Sequence, residues 1–233
     1  MSEPFTSIYP HKLRRLYWPF LAFAEVCREV VGTVAGTFSF SGLSYTVPRF
    51  TFLGPETNDP QKRLGFFALL QGNEMAGASA LLRLLETVVN APALAAGCDL
   101  VIYPVCNPTG YEDETPHNRA GHDLNRELWC GSDQPEIRIL ENELRAERFD
   151  GIVTLRTDNA SDRVSIRNAS DEIPQFPHTI GLRPPPELPV PPFATVIHTP
   201  GRVTPELQAQ AALVALQTVL TACRGGNALA VKN

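Results

Sequence analysis

The amino-acid sequence predicts a single α/β domain, in which helices cover both faces of a twisted, mixed β-sheet. Continuous apolar runs at residues 64–70, 100–105 and 151–155 have the length and composition of strands buried on both faces. Stretches with helical spacing alternate with these runs, and this order is typical of α/β sheets. With 233 residues, 43% of them hydrophobic, the chain can bury a core without a disulfide or a structural metal.

The N-terminal part is predicted to contribute a helix and a pair of strands. Residues 11–31 form an amphipathic helical pattern, in which Pro19 and Glu25 interrupt the apolar run that a signal peptide would require. Residues 36–53 alternate polar with β-branched and aromatic side chains, which predicts an antiparallel hairpin or edge pair. Because proline cannot donate to a strand ladder, we expect Pro48 at an edge or a bulge.

The remaining elements follow from the same periodicities. Residues 75–90 are compatible with a core helix, and residues 135–148 form a charged amphipathic helix. Residues 193–197 are predicted as a further buried strand. Residues 205–223 are predicted as a final helix with Thr204 as its N-cap.

Proline is concentrated in one part of the chain. Of the 21 prolines, 8 lie within residues 174–192, which predicts a stiff, extended loop that is not a central strand. We therefore expect one domain over residues 1–233, with an N-terminal helical segment (1–35) and an α/β core (36–223) that contains the proline-rich loop.

Composition and charge exclude several classes of protein. With 20 Lys+Arg against 25 Asp+Glu and a net charge of −5, the chain lacks the basic surface of a nucleic-acid-binding protein. Its 5 cysteines are scattered and form no C-x-x-C pair, so we expect neither a disulfide framework nor a zinc knuckle. No apolar run reaches the roughly 18 residues of a membrane span. We expect a cytoplasmic protein without a membrane partner, and the sequence leaves the oligomeric state open.

Candidate functional residues follow the predicted strands. Ligands of open α/β sheets bind at the carboxyl ends of the strands. The segments to consider are therefore 71–74, 106–110, 156–158 and 198–200.

One of these segments, together with residues that follow it in the chain, carries a recognisable motif. Residues 107–110 (Asn-Pro-Thr-Gly), followed by residues 121–126 (Gly-His-Asp-Leu-Asn-Arg), resemble the N-P-x-G … G-x-D-L-N-R element of the zinc carboxypeptidases. The resemblance extends to the succinylglutamate desuccinylase/aspartoacylase group and to murein-peptide amidases, and covers about residues 64–220. It implies a phosphorylase/hydrolase-like fold, and it implies that Asn125 and Arg126 bind the terminal carboxylate of a substrate.

The neighbouring family arginine is displaced in this sequence. The arginine of the family pattern R-x-N-x-x-G would fall on Pro116, whereas Asn118 is kept and Arg119 follows it. Arg119 is therefore an additional candidate for ligand binding. The substrate-contacting tyrosine of the carboxypeptidases has no counterpart between Arg156 and His198.

The family's zinc site is replaced at several positions. The family motif H-G-x-E, whose His and Glu bind zinc, here has Gln71 in place of the His and keeps Glu74. The third ligand, a His in a context like L-H-x-D, corresponds to Arg156. The general-base Glu of the family's E-T-P segment corresponds to His198, which becomes the candidate catalytic residue.

These replacements oppose metal binding. A Gln amide is a weak neutral ligand, and a guanidinium stays protonated without a lone pair to donate. A fixed cation about 4 Å from the metal would repel it by roughly 4 kcal/mol per unit charge pair at an effective dielectric of about 20. We therefore expect no bound zinc and no other cofactor. Arg156 is instead expected to pair with Glu74, at a separation below about 6 Å.

The candidate residues have simpler interpretations as well. Arg126 can form a structural ion pair with Asp123, and Asn125 can cap a helix. His198 can be a base, because imidazole titrates near neutrality, or a hydrogen-bonded residue of the cleft. His117 and His122 suggest a metal site only weakly.

Three functions are consistent with the sequence. In the leading hypothesis, the domain has lost its zinc ligands and is noncatalytic, and Asn125, Arg126, Arg119 and Arg156 bind a small anion or a peptide carboxyl end. In the second hypothesis it is an active metallocarboxypeptidase or amidohydrolase-type hydrolase with a rebuilt site. In the third it is an interaction subunit with a vestigial cleft.

Overall fold

A mixed β-sheet organises the protein in this computed structural model, which describes residues 11–168 and 193–224. The proline-rich segment 174–192 lies outside the described residues. The described part contains seven strands, namely β1 (Val30–Phe40), β2 (Leu43–Phe52), β3 (Lys62–Phe67), β4 (Cys98–Tyr103), β5 (Gly151–Asp158), β6 (Ser165–Asn168) and β7 (Phe193–Pro200).

Helices connect and cover these strands. Six α-helices lie in the described residues, namely α1 (His11–Val26), α2 (Met75–Asn90), α3 (Pro108–Asp113), α4 (Leu124–Glu127), α5 (Pro135–Glu147) and α6 (Pro205–Arg224), and a 3-10 helix spans Pro92–Ala95. None of the helices in that part of the chain is long and apolar enough to cross a membrane. The helix predicted over residues 11–31 ends earlier, at Val26, because the chain enters β1 at Val30.

The strand order is β1-β2-β4-β3-β5-β7-β6. The central strands β4, β3, β5 and β7 are parallel, whereas β1, β2 and β6 are antiparallel to their neighbours. The predicted hairpin is confirmed as β1–β2. Pro48 pairs with Val34 beside a bulge between Val34 and Gly36, as its missing N–H requires.

Both faces of the sheet are covered, which confirms the α/β class. On one face α2 and α6 pack together, and their Leu81 and Leu216 share a buried cluster with Leu155 of β5. On the other face α5 contributes Leu140 to a second buried cluster that includes Ile152 of β5. Side chains alternate between the faces of a strand, so β5 contributes to both clusters.

The carboxyl ends of the parallel strands are tied together. The N–H of Ala68 donates to the carbonyl of Tyr103 (3.0 Å), and the N–H of Asn107 donates to the carbonyl of Leu69 (2.9 Å). The strands β5 and β7 are longer than predicted. They pair through Arg156 and His198, which are therefore cross-strand neighbours. This edge of the sheet holds the candidate site.

Candidate functional site

The loops after β3 and β4 are packed backbone against backbone. A Cβ atom on Gly72 would lie 2.0 Å from the carbonyl carbon of Gly110, so this contact allows no side chain at Gly72. The side chain of Asn107 accepts a hydrogen bond from the N–H of Gly110 (2.8 Å) and donates to the carbonyl of Leu70 (3.2 Å). The Asn and Gly of the N-P-x-G motif therefore hold these two loops together.

Glu74 and Arg156 meet at the centre of this edge. Glu74 is 8% exposed, and its Oε2 lies 3.6 Å from Nε of Arg156. Its Oε1 accepts the backbone N–H of Thr157 at 3.1 Å. The predicted ion pair is thus present, within the expected separation. The contact is an ion pair without a hydrogen bond, because neither Glu74 Oε2 nor Arg156 Nε has a hydrogen-bond partner among the described residues.

Burial dominates the electrostatics of Glu74. Removal from water raises the pKa of the Glu74 carboxyl to about 7, although the charge of Arg156 and the N–H of Thr157 both lower it. This order of effects is reasonable, because a buried ion pair without good hydrogen bonds does not recover the cost of desolvation.

Asn125 holds Arg156 from the opposite side. Its Oδ1 accepts a hydrogen bond from Nη1 of Arg156 (3.0 Å). Its Nδ2 donates to Oδ1 of Asp123 at 3.0 Å, and its backbone N–H donates to the same oxygen at 3.1 Å. Asn125 is 1% exposed. Both ends of its amide are therefore engaged within the protein, and its geometry fits a residue that positions Arg156.

Arg126 points the other way, into solvent. Its side chain is 63% exposed, and its Nε lies 3.5 Å from Oδ2 of Asp123. The ion pair with Asp123 considered from the sequence is therefore present. This contact uses only Nε, and no described residue binds either Nη group. Arg126 consequently keeps two donors that can bind a carboxylate side by side.

Arg119 is committed to a different part of the protein. Its guanidinium binds both carboxylate oxygens of Asp113 and the hydroxyl of Tyr45. Its backbone N–H donates to the hydroxyl of Thr109 at 3.1 Å. The side chain therefore fastens α3 to β2. Ligand binding by Arg119 stays a prediction, and it requires Arg119 to share or break these contacts.

A buried carboxylate network supports the loop that carries these residues. Glu136 is 2% exposed and accepts hydrogen bonds from Thr109 (3.0 Å) and Asn118 (3.4 Å). Burial raises the pKa of the Glu136 carboxyl, although both hydrogen bonds lower it. The network joins α5 to the loop before α4, and thereby fixes the position of α4.

The histidines occupy two separate positions. His198 lies on β7, opposite Arg156 on β5 and Ser165 on β6. His122 lies before α4, and its Nδ1 is 2.9 Å from a carboxylate oxygen of Glu127. The structure thus places His198, but not His122, beside the Glu74–Arg156 pair. A catalytic role for His198 stays a prediction.

The side chains at the family's zinc positions do not fit a zinc ion. Zinc in hydrolases takes three anionic or imidazole ligands and an open position. Here Gln71 offers a neutral amide, and the carboxylate of Glu74 already faces the guanidinium of Arg156 at 3.6 Å. Within residues 11–168 and 193–224, no three His, Cys, Asp or Glu side chains are grouped so that they could hold a metal ion.

The fold is that of the metallo-carboxypeptidases. A metallo-carboxypeptidase from Burkholderia cenocepacia superimposes with a TM-score of 0.71 at 13% identity, over 94% of this chain and 70% of that one. A metallo-carboxypeptidase from Pseudomonas aeruginosa gives a TM-score of 0.68 at 14% identity, over 93% and 70% of the two chains. Carboxypeptidase A from Helicoverpa armigera gives 0.64 at 15% identity, over 98% and 76%.

Similarity at this level of identity establishes a carboxypeptidase-like α/β fold and leaves the activity open. No protein-family model matches this chain, and no curated protein matches it. The fold implied by the sequence motifs is therefore confirmed by structural comparison alone.

Sequence reasoning identified most of the side chains at this edge but missed two roles. The contact of Asp123 with Arg126 was anticipated, but Asp123 also accepts a hydrogen bond from Asn125, and so links the exposed arginine to the buried one. The only signal was its place in the G-x-D-L-N-R element. Thr157 contributes a backbone N–H to Glu74, and a backbone donor carries no sequence signal.

Proposed function

We propose that this protein is a carboxypeptidase-like domain in which an internal ion pair replaces the zinc centre. In this proposal it does not hydrolyse peptides, and it binds a small carboxylate ligand, such as a peptide carboxyl end, in the former active-site cleft. The observation that carries the proposal is the contact of 3.6 Å between Glu74 and Arg156.

The ion pair supports the loss of metal chemistry. Arg156 neutralises the one carboxylate that remains at the family's zinc positions, and Asn125 holds the guanidinium in place through a hydrogen bond of 3.0 Å. A divalent cation at this point would face a fixed positive charge, at a cost of roughly 4 kcal/mol per unit charge at about 4 Å. Without a metal-bound water, the described residues of the site offer no activated nucleophile for peptide hydrolysis.

Arg126 supports carboxylate binding. Its exposed guanidinium keeps two Nη donors, and planar two-pronged binding of carboxylates is a property of arginine. Asp123 is a weak internal competitor, because its contact with Arg126 is a long one of 3.5 Å at a solvated side chain. A ligand carboxylate can therefore bind without breaking a strong interaction.

A structural relative provides a suitable probe. The similar metallo-carboxypeptidase from Pseudomonas aeruginosa forms a complex with (2-guanidinoethylmercapto)succinic acid, which carries two carboxyl groups. For this chain we choose N-acetyl-L-alanine, because its amide, N-acetyl-L-alaninamide, differs only by lacking the carboxylate.

Calorimetric titration of the purified chain with the two probes tests the binding part of the proposal. The acid should bind, the amide should not, and Arg126→Ala should weaken binding by about 1.5–3 kcal/mol, the value of a charge-assisted hydrogen bond. Arg28→Ala is the matched control. Arg28 is an exposed arginine that precedes β1 at the amino end of the parallel strands, opposite the site.

Metal analysis tests the other part of the proposal, the loss of zinc-dependent hydrolysis. After dialysis, stoichiometric zinc together with hydrolysis of an N-acylated dipeptide would establish the hydrolase with a rebuilt site. If the chain contains no metal and neither probe binds, the interaction subunit with a vestigial cleft is the better description. If the acid binds equally well to the Arg126→Ala variant, Arg126 is not the carboxylate-binding residue.

A further inference from the structure

The outer face of α6 carries no charge over most of its length. The inner side of this helix packs into the main buried cluster through residues such as Leu216 and Leu220. From residue 207 to residue 223 the helix contains no Asp, Glu, Lys or Arg. A surface helix usually carries charged side chains on the face that it turns to solvent. The outer face of α6 therefore has the composition of a surface that contacts protein.

Exposed side chains form a narrow row along this face. Leu207 is 58% exposed and Val214 is 55% exposed. Single exposed apolar residues are common, but these two belong to a series spaced by four, three, four and three residues. We call this series the outer stripe, and its members are Leu207, Ala211, Val214, Thr218 and Thr221. Ala211 is half-buried and the other four are exposed. Alternation of three and four residues is the spacing by which one helix packs along another.

Two charges of opposite sign bound the outer stripe. Glu206 lies in the first turn of α6 and Arg224 in the last turn, and both are exposed. They are 224 − 206 = 18 residues apart, which is about five turns at roughly 3.6 residues per turn, so they lie on the same side of the helix. Neither forms an ion pair with another residue of the described ranges.

An antiparallel copy of α6 would match both features. The midpoint of Glu206 and Arg224 is position 215, and the midpoint of the stripe ends, Leu207 and Thr221, is position 214. A two-fold axis at this point sets Val214 against its own copy and Glu206 beside the partner subunit's Arg224. A parallel copy would set like charges against each other at both ends. Charge complementarity therefore selects the antiparallel arrangement.

The helix is already fixed in the form that would dock. At its start, the hydroxyl of Thr204 accepts the N–H of Leu207 at 3.4 Å. Near its end, Nζ of Lys62 donates to the carbonyl of Cys223. Along its side, α6 packs against α2. Docking of a second copy therefore requires no ordering of the α6 backbone, which lowers the entropic cost of association.

We propose that two copies of this chain dock antiparallel through the outer stripe of α6, with Glu206 of each copy paired with Arg224 of the other. The contact extends along about 27 Å of helix, at a rise of about 1.5 Å per residue. One helix from each copy is a small interface beside the roughly 1,200–2,000 Å² that stable complexes bury. The dimer is therefore weak, and we expect monomers at about 1 µM and mostly dimers at about 500 µM.

Sedimentation velocity of the full chain between about 1 µM and 500 µM tests this proposal. The sedimentation coefficient of the wild type should rise with concentration from the monomer value toward the dimer value. Val214→Lys sets two like charges against each other at the two-fold axis and should keep the chain monomeric throughout. Val26→Lys is the matched control and should dimerise like the wild type. Val26 is 82% exposed at the end of α1, beside the edge strand β1 and far along the sheet from β7, which α6 contacts.

Charge reversal tests the antiparallel pairing. Glu206→Arg should raise the dissociation constant of the dimer by about threefold to tenfold, because it turns two symmetry-related ion pairs into like-charge contacts. The double substitution Glu206→Arg and Arg224→Glu re-forms both pairs with their charges exchanged, and should restore the wild-type dissociation constant. Near-UV circular dichroism at about 1 µM, where we expect monomers, checks that each variant keeps the fold.

The proposal is overturned if the wild type stays monomeric over the whole concentration range. It is also overturned if Val214→Lys dimerises like the wild type, or if Val26→Lys loses the dimer as well. An unchanged dissociation constant in Glu206→Arg would overturn the antiparallel pairing. Arg126→Ala should dimerise like the wild type, and the measurement uses no ligand or metal, so a failure of the carboxylate site does not affect this test.

Discussion

Replacing Glu74 by glutamine tests whether burial or the ion pair governs this site. The substitution keeps the shape of the side chain and removes its titration. Burial raises the pKa of Glu74 from 4.5 to about 7, against the opposing charge of Arg156. If the ion pair dominated instead, the same pKa would be lowered. The sign of the pH dependence therefore distinguishes the two descriptions.

The expected change in the free energy of unfolding follows from the difference between the folded and unfolded pKa values of Glu74. A carboxyl group whose pKa is higher in the folded state stabilises the fold below its unfolded pKa, and this stabilisation is lost as the pH rises through the folded pKa. For Glu74 the window runs from 4.5 to about 7. At about 1.36 kcal/mol per pKa unit, the ionisation of Glu74 costs the folded state about 3 kcal/mol across this window.

Urea unfolding of the wild type and of Glu74→Gln, from about pH 4 to pH 8, measures the free-energy cost of ionising Glu74 in the folded state. The free energy of unfolding of the variant minus that of the wild type should rise with pH, by about 3 kcal/mol in total. Glu206→Gln, at an exposed position in the first turn of α6, is the control. Its difference from the wild type should stay within about 0.5 kcal/mol throughout.

Two outcomes would refute the reasoning. If the difference falls as the pH rises, the ion pair with Arg156 outweighs burial and the pKa of Glu74 is lowered. If the difference is flat, Glu74 has the same pKa in the folded and the unfolded protein. The second outcome would also remove the electrostatic argument that the buried pair is a fixed unit.

Three further substitutions give direct expectations. Asn125→Ala removes the oxygen that binds Arg156 and the amide nitrogen that binds Asp123. It should therefore lower the free energy of unfolding in urea by about 2–3 kcal/mol. A loss below about 0.5 kcal/mol would contradict the role of Asn125 in positioning Arg156. Gly72→Ala places a Cβ 2.0 Å from a backbone carbon, and should cost about 3 kcal/mol in thermal or urea unfolding. Gly42→Ala, with a positive φ of 78° and open space around it, is its control and should cost only about 1–2 kcal/mol. The double substitution Gln71→His and Arg156→His places two imidazoles near the carboxylate of Glu74, so zinc should raise the melting temperature of this variant and leave the wild type unchanged. Zinc stabilisation of the wild type would contradict the proposed loss of the metal site.

The sequence predicted the helices and the central strands well where one periodicity dominates. The helix predicted over residues 75–90 is α2, Met75–Asn90, because its apolar positions face the core at helical spacing. The end of α1 and the lengths of β5 and β7 were wrong by several residues. Strand β6 was missed, because Ser165–Asn168 is short and becomes a strand only by pairing with β7.

The sequence predicted which residues form the candidate site better than it predicted how their side chains are placed. The motifs brought Glu74, Arg156 and Asn125 into one site, and the hydrogen bond and ion pair between them agree with that placement. The sequence did not separate the roles of two adjacent residues. Asn125 is buried and internally bonded, whereas Arg126 is exposed, because the short helix α4 turns consecutive side chains toward different surroundings.

The sequence by itself determined the fold class and the chemical groups of the candidate site. Residue identity is sufficient to state that a guanidinium cannot bind zinc where an imidazole would. The pairing of Glu74 with Arg156 was predicted from the sequence, but only the tertiary structure decided its geometry, because the two residues come from distant segments that meet at one end of the sheet. Burial had the same origin. It depends on the packing of all surrounding elements, and here it raises the pKa of Glu74.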